Sequence, residues 1–449
     1  MRTAIALFCA ATMTALAGAS EDITETRKFR ASDLGNGDAF GFAIDRSITR
    51  TVSGAPFDFL GGEDAGAVYV HNTSTGQQLY KLLPPDTEPG LRFGWSVAAT
   101  GQNVIAGALY GDEGVAFSGS VYVFSLSTGD FRFELTPTDA ANSDFFGQAI
   151  AASGSRLLVG AFGDDDAGER SGSAYVFDLG SGQQIRKLTA SDAAAGDDFG
   201  EEVGLSGTLA VVGAPAVDTG VNLSTGAAYI FDITTGQQLH KLTSPDLDPL
   251  SVFGRAVAIS GDLVVVGAPF ADRVGTTSGA AYVFNAVTGE LLHELSPSTH
   301  SGGDFFGWSV AISGNLIAVG APEETIDGVI TGAGFVFDAQ SGQELYRLTP
   351  SDADQFDNVG ADVAVLGTQA WVSATGDDTL GPNTGAAYIF DITPCFADVN
   401  DDNTVDLADL NIILGNFGST TSNGDTNFDG VVDLADLNRV LSEFGTDCP

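Results

Sequence analysis

A chain of 449 residues with 59 acidic against 18 basic side chains has a formal net charge of −41. That charge argues against a nucleic-acid or anionic-membrane ligand, since both surfaces are themselves negative. An acidic, lysine-poor surface suits calcium-rich or salty surroundings where counterions screen self-repulsion, and it also suits solubility alone.

The chain opens on MRTAIALFCAATMTALAGAS, with basic Arg2, an apolar segment and small residues at Ala17 and Ala19. This is the pattern of an export signal over residues 1–19, cleaved near Ala19, and it predicts a secreted or cell-surface protein. The competing reading is a membrane anchor, but the apolar stretch is short against the roughly 20 residues a spanning helix needs, and no later segment qualifies. No membrane insertion is expected after cleavage. Cys9 follows Phe8, so the small residue that a lipid-attachment site places there is missing.

From residue 20 to 394 the chain is a repeat. A Phe-Gly pair puts its glycine at Gly41, Gly94, Gly147, Gly200, Gly254 and Gly307, and Gly360 follows Val359 in the same register. A Gly-Ala pair keeps step at Gly54, Gly107, Gly160, Gly213, Gly267 and Gly320, with Ser373 in the seventh copy. A fixed period near 53 residues marks units that bury their apolar faces against one another. Within a unit such as FGRAVAISGDLVVVGAP (Phe253 to Pro269) an alternating segment, a Ser-Gly turn and an apolar run read as two strands. Ala280 to Phe284 and Glu290 to Leu295 supply two more. Seven four-stranded antiparallel sheets predict an all-β, seven-bladed propeller. The seventh copy ends after its third strand, AAYIFDIT (Ala386 to Thr393), while KFRASD (Lys28 to Asp33) near the N-terminus matches KLTASD (Lys187 to Asp192). The N-terminal strand is therefore expected to close the last blade and remove an open sheet edge.

In such a blade the links between strands two and three and between strands four and one emerge on one face. Those links carry Asp58, Glu63, Asp64, Asp112, Glu113, Asp164, Asp165, Asp166, Asp218, Asp272, Glu323, Glu324, Asp327, Asp377 and Asp378. Asp38, Asp144, Asp197, Asp198 and Asp304 come just before the Phe-Gly signal. A loop-rich anionic face is predicted, and loops on a rigid scaffold are where binding residues usually lie. The alternative is that Asp and Gly serve there as solvated turn residues.

This repeat, from about Thr26 to Thr393, resembles the FG-GAP family found also in integrin α-subunits. The resemblance implies an extracellular ring used in binding or adhesion, with a protein or glycan as ligand. Integrin-type repeats often carry a DxDxDG calcium loop between the two signals, whereas here that link is a short turn such as Ser260-Gly261-Asp262. Calcium sites therefore do not transfer to the ring, and a cation at Asp164 to Asp166 rests on charge alone.

After Pro394 a shorter repeat begins, and residues 395–449 read as a separate domain. DVNDDNTVDLAD (Asp398 to Asp409) and DTNFDGVVDLAD (Asp425 to Asp436) place oxygen ligands at loop positions 1, 3, 5, 9 and 12. These are Asp398, Asn400, Asp402, Asp406 and Asp409, then Asp425, Asn427, Asp429, Asp433 and Asp436, with the backbone carbonyls of Thr404 and Val431 at position 7. A hard cation taking six to eight oxygens fits this spacing, so two Ca2+ sites are predicted. Gly430 supplies the sharp turn at position 6 of the second loop, and Asn403 stands there in the first. An apolar segment at helical spacing follows each loop, from Leu407 to Phe417 and from Leu434 to Phe444. Cys395 and Cys448 bracket the module, and in an oxidising compartment they are expected to form one disulfide.

The module looks like a type I dockerin. That resemblance implies calcium-dependent folding and docking to a cohesin-like or other extracellular scaffold protein. The usual recognition positions, ten and eleven, hold Leu407-Ala408 and Leu434-Ala435 rather than Ser-Thr, so they read either as a duplicated apolar recognition surface or as core.

No HExxH, GxSxG or Gly-rich phosphate loop occurs, and His71, His240, His293 and His300 show no metal-ligand spacing. The first three are expected to be surface strand residues. Trp95 and Trp308 share one position in their blades and are expected to pack rather than to form a sugar platform. A non-catalytic binding protein is the expectation. The alternative is a polysaccharide-degrading glycoside hydrolase or lyase component with paired carboxylates on the acidic face.

Overall fold

The computed structural model describes residues 21–449 except 34, 60–63, 112–114, 219–222, 247, 274, 300, 393–396, 401–403, 420–423, 425, 427–430 and 446–449. The expected export segment therefore lies outside the described residues, as do Glu63, Asp112, Glu113, His300, Cys395, Asp402, Asp425, Asn427, Asp429 and Cys448. The chain divides into two compact units at Pro394.

The first unit is a ring of seven sheets, of which the first six run four strands in chain order from first to fourth. In the third blade, for example, the strands are Ile150–Ser153, Arg156–Ala161, Ser173–Asp178 and Gln183–Leu188, all antiparallel. First strands of neighbouring blades touch all the way round, from the seventh back to the first, so they line the axis. The ring closes as the sequence predicts. Arg27–Phe29 is the outermost strand of the seventh blade, with Lys28 opposite Tyr388 and Phe29 opposite Ala387. One addition had no sequence signal: Glu21–Ile23 pairs with Glu344–Leu348 as a fifth, outermost strand of the sixth blade. A second is a two-stranded hairpin, Thr325–Ile326 with Val329–Ile330, in that blade's loop.

The apolar core lies between blades, and each cluster draws on two neighbours. Val212 and Tyr229 of the fourth blade, for instance, pack with Leu158 and Val176 of the third. The Phe-Gly phenylalanines Phe40, Phe93, Phe146, Phe199, Phe253 and Phe306 are fully buried, five of them against a third-strand tyrosine, as Phe146 is against Tyr175 at 5.7 Å. The paired glycines mark the closest approach of two blades. A Cβ on Gly160 would lie 2.0 Å from the carbonyl oxygen of Gly200 in the next blade, and Gly200 itself has φ +94°, a conformation L side chains rarely adopt. At the closing junction Ser373 replaces this glycine, and its Cβ stands 3.3 Å from where a Cβ on Gly41 would sit.

The second unit contains two helices, α1 (Leu407–Asn416) and α2 (Leu434–Glu443), in contact with one another. Each begins at an aspartate that caps it, Asp406 and Asp433, with the third helical residue, Asp409 or Asp436, reaching back to complete a capping box. Ala397, Val405, Ile413, Val432 and Val440 form the core between them. Among the described residues no helix is long and apolar enough to cross a membrane.

Candidate functional site

The sequence predicts a loop-rich anionic face, its acidic residues being either binding groups or solvated turn residues. The structure corrects this for a large part of it: Asp38, Asp58, Asp144, Asp164, Asp197, Asp304, Glu324 and Asp377 are all buried. They serve two structural tasks. Asp144, Asp197 and Asp304 each accept a hydrogen bond from the backbone N–H three residues earlier, closing the turn into the next blade. Burial pushes Asp144 up to about 6, chiefly by loss of hydration, with nearby Asp164 adding to it.

Asp58, Asp164 and Asp377 anchor a repeated polar cluster. The Tyr175 hydroxyl donates to Asp164 at 2.6 Å, and the Lys187 ammonium lies 2.7 Å from Asp164, 2.9 Å from Asp139 and 2.5 Å from Asp166. Tyr69, Asp58, Lys81 and Asp33 repeat the arrangement in the first blade. In the seventh, Tyr388, Asp377 and Asp352 are joined by Lys28 of the closing strand. Burial alone would raise Asp164, but the lysine and tyrosine hydrogen bonds outweigh it and hold its carboxyl below the usual range. Asp139, Asp164 and Asp166 are the one set among the described residues with three carboxylates converging closely enough for a metal. Repeats of this kind often bind calcium, but here the intrachain ammonium already occupies the centre of the triad.

A second correction concerns His71, expected at the surface. It is buried against Phe29 and Phe40, and its Nε2 bonds to the Arg30 carbonyl at 3.0 Å. Loss of hydration lowers its pKa to about 4. His240 is half-exposed, with Nε2 on the Val287 carbonyl at 2.8 Å, and His293 lies on a fourth strand.

With these residues assigned to structure, the face presents a rim where adjacent blades meet. At six junctions a residue before the third strand and a residue before the next Phe-Gly phenylalanine are both left-handed and bonded through the backbone. Phe145 N–H donates to Phe117 O at 3.2 Å, Asp198 to Arg170 at 3.1 Å and Val252 to Ser224 at 3.2 Å. The backbone is the same at each junction while the side chains differ. Phe117, one of these junction residues (φ 57°), is strained as well as 50% exposed, and so are Leu250 (φ 63°, 60%) and Phe356 (φ 68°, 59%), each two residues before the left-handed residue that precedes the next blade's signal. From this rim an aromatic band runs inward across the first three blades. The Arg92 guanidinium lies 4.8 Å from the Tyr110 ring and 5.7 Å from Trp95. Tyr110 meets Phe117 edge-on at 5.4 Å, and Phe145 stacks on Phe162 at 5.0 Å. Trp95 and Trp308 thus pack among aromatic rings and arginines at the mouth of the axial channel.

In the second unit Asp409 and Asp436 are fully buried. Asp409 accepts N–H bonds from Val399 at 2.7 Å, Asn400 at 3.1 Å and Asp406 at 2.8 Å, which draws loop positions 2, 3, 9 and 12 together. Asp398 is buried nearby in sequence. In the second loop the Thr426 hydroxyl donates to Asp436 at 3.1 Å, and the N–H of Asp433 donates to it at 2.8 Å. Leu407 and Leu434 are not core: they are 64% and 63% exposed, and Leu414, Phe417, Leu441 and Phe444 are exposed in matching positions.

A family model described as FG-GAP repeat matches residues 23–71, 77–124, 132–177, 183–231, 237–284, 292–337 and 343–390, one segment for each blade. The chain belongs to the FG-GAP repeat family. FG-GAP propellers are typically binding domains, and this one offers the rim and band as its variable surface. No curated protein matches the chain. Among solved structures, the computationally designed protein Ika8, crystallised in P63, is 18% identical over 82% of this chain and 100% of its own, with a TM-score of 0.48. A likeness that distant bears on neither fold nor function.

Proposed function

We propose that this FG-GAP protein is exported and non-catalytic, that its loop-face rim binds a protein or glycan, and that its C-terminal unit is a calcium-dependent dockerin-like domain that docks to a cohesin-type extracellular partner. The rim carries the reading. Strained, exposed apolar side chains on an otherwise regular scaffold destabilise the free protein, and a partner that covers them offsets that cost. The one converging carboxylate set among the described residues, Asp139, Asp164 and Asp166, is bridged by the Lys187 ammonium, which disfavours hydrolysis at that place.

For the C-terminal unit the support is chemical. Every side-chain ligand in the two loops is a hard oxygen donor, the described ones cluster at helix N-termini, and the exposed leucines form a duplicated apolar surface. Asp398, Asn400, Asp402, Thr404, Asp406 and Asp409 would hold one Ca2+, and Asp425, Asn427, Asp429, Val431, Asp433 and Asp436 the other. A Cys395–Cys448 disulfide would tie the two ends of the unit.

Scanning calorimetry of the full chain with and without chelator tests the docking unit. A low-temperature transition should vanish on calcium removal, and identical traces would refute the calcium reading. A glycan array run beside hydrolysis assays tests the ring, and release of product from any bound glycan would replace the binder by an enzyme.

A further inference from the structure

The rim alternates two kinds of exposed side chain. Apolar ones stand at four junctions: Phe117 between the second and third blades, Leu223 and Leu250 between the fourth and fifth, Phe356 between the sixth and seventh, and Leu380 between the seventh and first. The Leu250 N–H donates to the Leu223 carbonyl at 2.9 Å, so these two leucines are neighbours. Carboxylates fill the intervals. Asp165, Glu169, Asp218, Asp272, Asp327 and Asp378 lie in the loops from second to third strand of the third to seventh blades, are exposed, and form no salt bridge among the described residues. Asp165, Asp218 and Asp272 each accept an N–H of their own loop, from Arg170, Ser224 and Thr277, which fixes their place without discharging them.

The basic side chains of this face are in the opposite position. Arg170 donates to both oxygens of Asp198 at 2.9 Å, Arg273 pairs with Asp246 and Glu294, and Lys81, Lys187 and Lys241 lie on aspartates. Arg92 is 4.0 Å from Asp64 and stacked among Phe57, Trp95 and Tyr110. Arg255, further in at the channel mouth, has Glu201 and Glu202 beside it. The outer loops therefore present spare negative charge and, among the described residues, no spare positive charge. Nor does the aromatic band offer a sugar a flat seat. Tyr110 meets Phe117 at 72° and Phe145 at 69°, and the Arg170 guanidinium lies 5.1 Å over Phe162. Rings set edge-on to one another or covered by guanidinium groups turn their edges outward, and ring edges pack against aliphatic side chains.

We propose that the rim takes a cationic, apolar-bearing polypeptide segment, whose lysines or arginines meet the spare carboxylates while its aliphatic side chains cover Phe117, Leu223 and Leu250. This rests on the reading of the rim as the binding surface and narrows it to one ligand class. An anionic glycan or acidic protein would be repelled, and a neutral glycan would make no use of the charge. Exposed ion pairs contribute little each, so the apolar contacts set the lifetime of the complex while the carboxylates set its rate of encounter and its choice of partner.

Fluorescence anisotropy of the full chain with a labelled dodecapeptide alternating leucine with lysine tests the assignment. Counterparts with glutamate for lysine, or serine for leucine, should bind about tenfold more weakly or worse. In molar salt, where screening acts over about 3 Å, association should slow while dissociation changes little. Leu223→Asn combined with Leu250→Asn should weaken the leucine–lysine peptide about tenfold and leave the serine–lysine peptide unchanged. Glu169→Lys with Asp378→Lys should weaken both cationic peptides. Asp130→Lys with Glu290→Lys makes the same change of net charge in exposed turns of the opposite face and should leave them as they were, with circular dichroism confirming that each variant folds. Equal losses from the two charge reversals would reduce the effect to net charge and overturn the proposal, as would tight binding of the glutamate peptide or no binding of the cationic ones at millimolar concentration. A glycan whose binding the paired leucine variant weakens would overturn the cationic segment and keep the rim, whereas a ring that binds neither peptide nor glycan removes the rim reading as well.

Discussion

Replacing Lys187 by methionine converts the third blade's polar cluster from a filled seat into an empty one. In wild type the ammonium lies between three carboxylates whose oxygens converge within 4.8 Å, and the Asp164 side chain is 4% exposed. Breaking a buried pair by removing one partner typically costs 3–5 kcal/mol, and the exposure of Asp139 and Asp166 places the cost near the lower end, about 3 kcal/mol. With an unfolding entropy of about 2.1 cal/mol/K per residue, a unit the size of Asp22–Pro394 should melt about 4 °C lower. All three tryptophans, Trp95, Trp308 and Trp371, lie in the ring, so their fluorescence follows this unit alone. The deficit should also depend on pH. The folded pKa of Asp164 is depressed, so the pair stabilises the ring above the ordinary carboxylate range near 4 and is lost as pH falls through the folded value. Wild type and variant should therefore converge in acid. The vacated triad should in turn accept Ca2+. At a hundred times its Kd the ion would restore about 2.7 kcal/mol to the variant, while the wild-type tryptophan transition stays where it was. A variant melting with wild type, or equal calcium shifts in both proteins, would refute the assignment of Lys187 as the resident cation.

Three further outcomes follow from the same geometry. Gly160→Ala sets a Cβ 2.0 Å from the Gly200 oxygen, so blades three and four must part; a loss exceeding about 4 kcal/mol is expected in urea unfolding, and a mild effect would show that the junction can relax. His71 folds neutral with its pKa near 4 against about 6.5 unfolded, so its contribution is complete above pH 6.5 and falls by about 3 kcal/mol towards pH 4; His71→Gln should flatten that part of the stability profile. Phe117→Asn exchanges a strained, exposed ring for a residue that tolerates φ 57°, and should raise stability by about 1 kcal/mol while weakening whatever ligand the glycan array or a protein screen identifies.

What was legible in the sequence was whatever recurs at one period. The paired glycines could be read because the inter-blade approach admits almost nothing else, and the closing strand because the seventh copy lacks its fourth. A further glycine before each third strand, such as Gly172 against Phe199, recurs just as regularly and bridges to the next blade. The polar cluster was hidden because its members come from different strands, and Asp looks like a turn residue wherever it stands. Its signal was a fixed offset: Tyr follows Asp by 11 residues and Lys follows by 23, at Asp58, Tyr69 and Lys81 and again at Asp164, Tyr175 and Lys187. The burial of His71 also had a signal in the repeat, since it stands in its third strand where Phe124, Phe177, Phe231, Phe284, Phe337 and Phe390 stand in theirs, all of them buried. The exposure of Leu407 and Leu434 was illegible, because the helical spacing holds more apolar residues than so small a core can cover.

Seven copies of one unit act as controls for each other, and that is what separates scaffold from site in this ring. A feature present in nearly every blade, such as the buried Phe-Gly phenylalanine or the left-handed residue just before it, is required by the closure of seven sheets about an axis and carries no information about a ligand. Ligand information is confined to positions where the backbone is held constant and the side chain is not. By that criterion Phe117, Arg170, Ser224 and Thr277, all left-handed at equivalent junctions, are one set, and Trp95, Gln148, Arg255 and Trp308 at the channel mouth are another. A ring whose scaffold repeats but whose rim and mouth do not could hold a partner in one orientation out of seven.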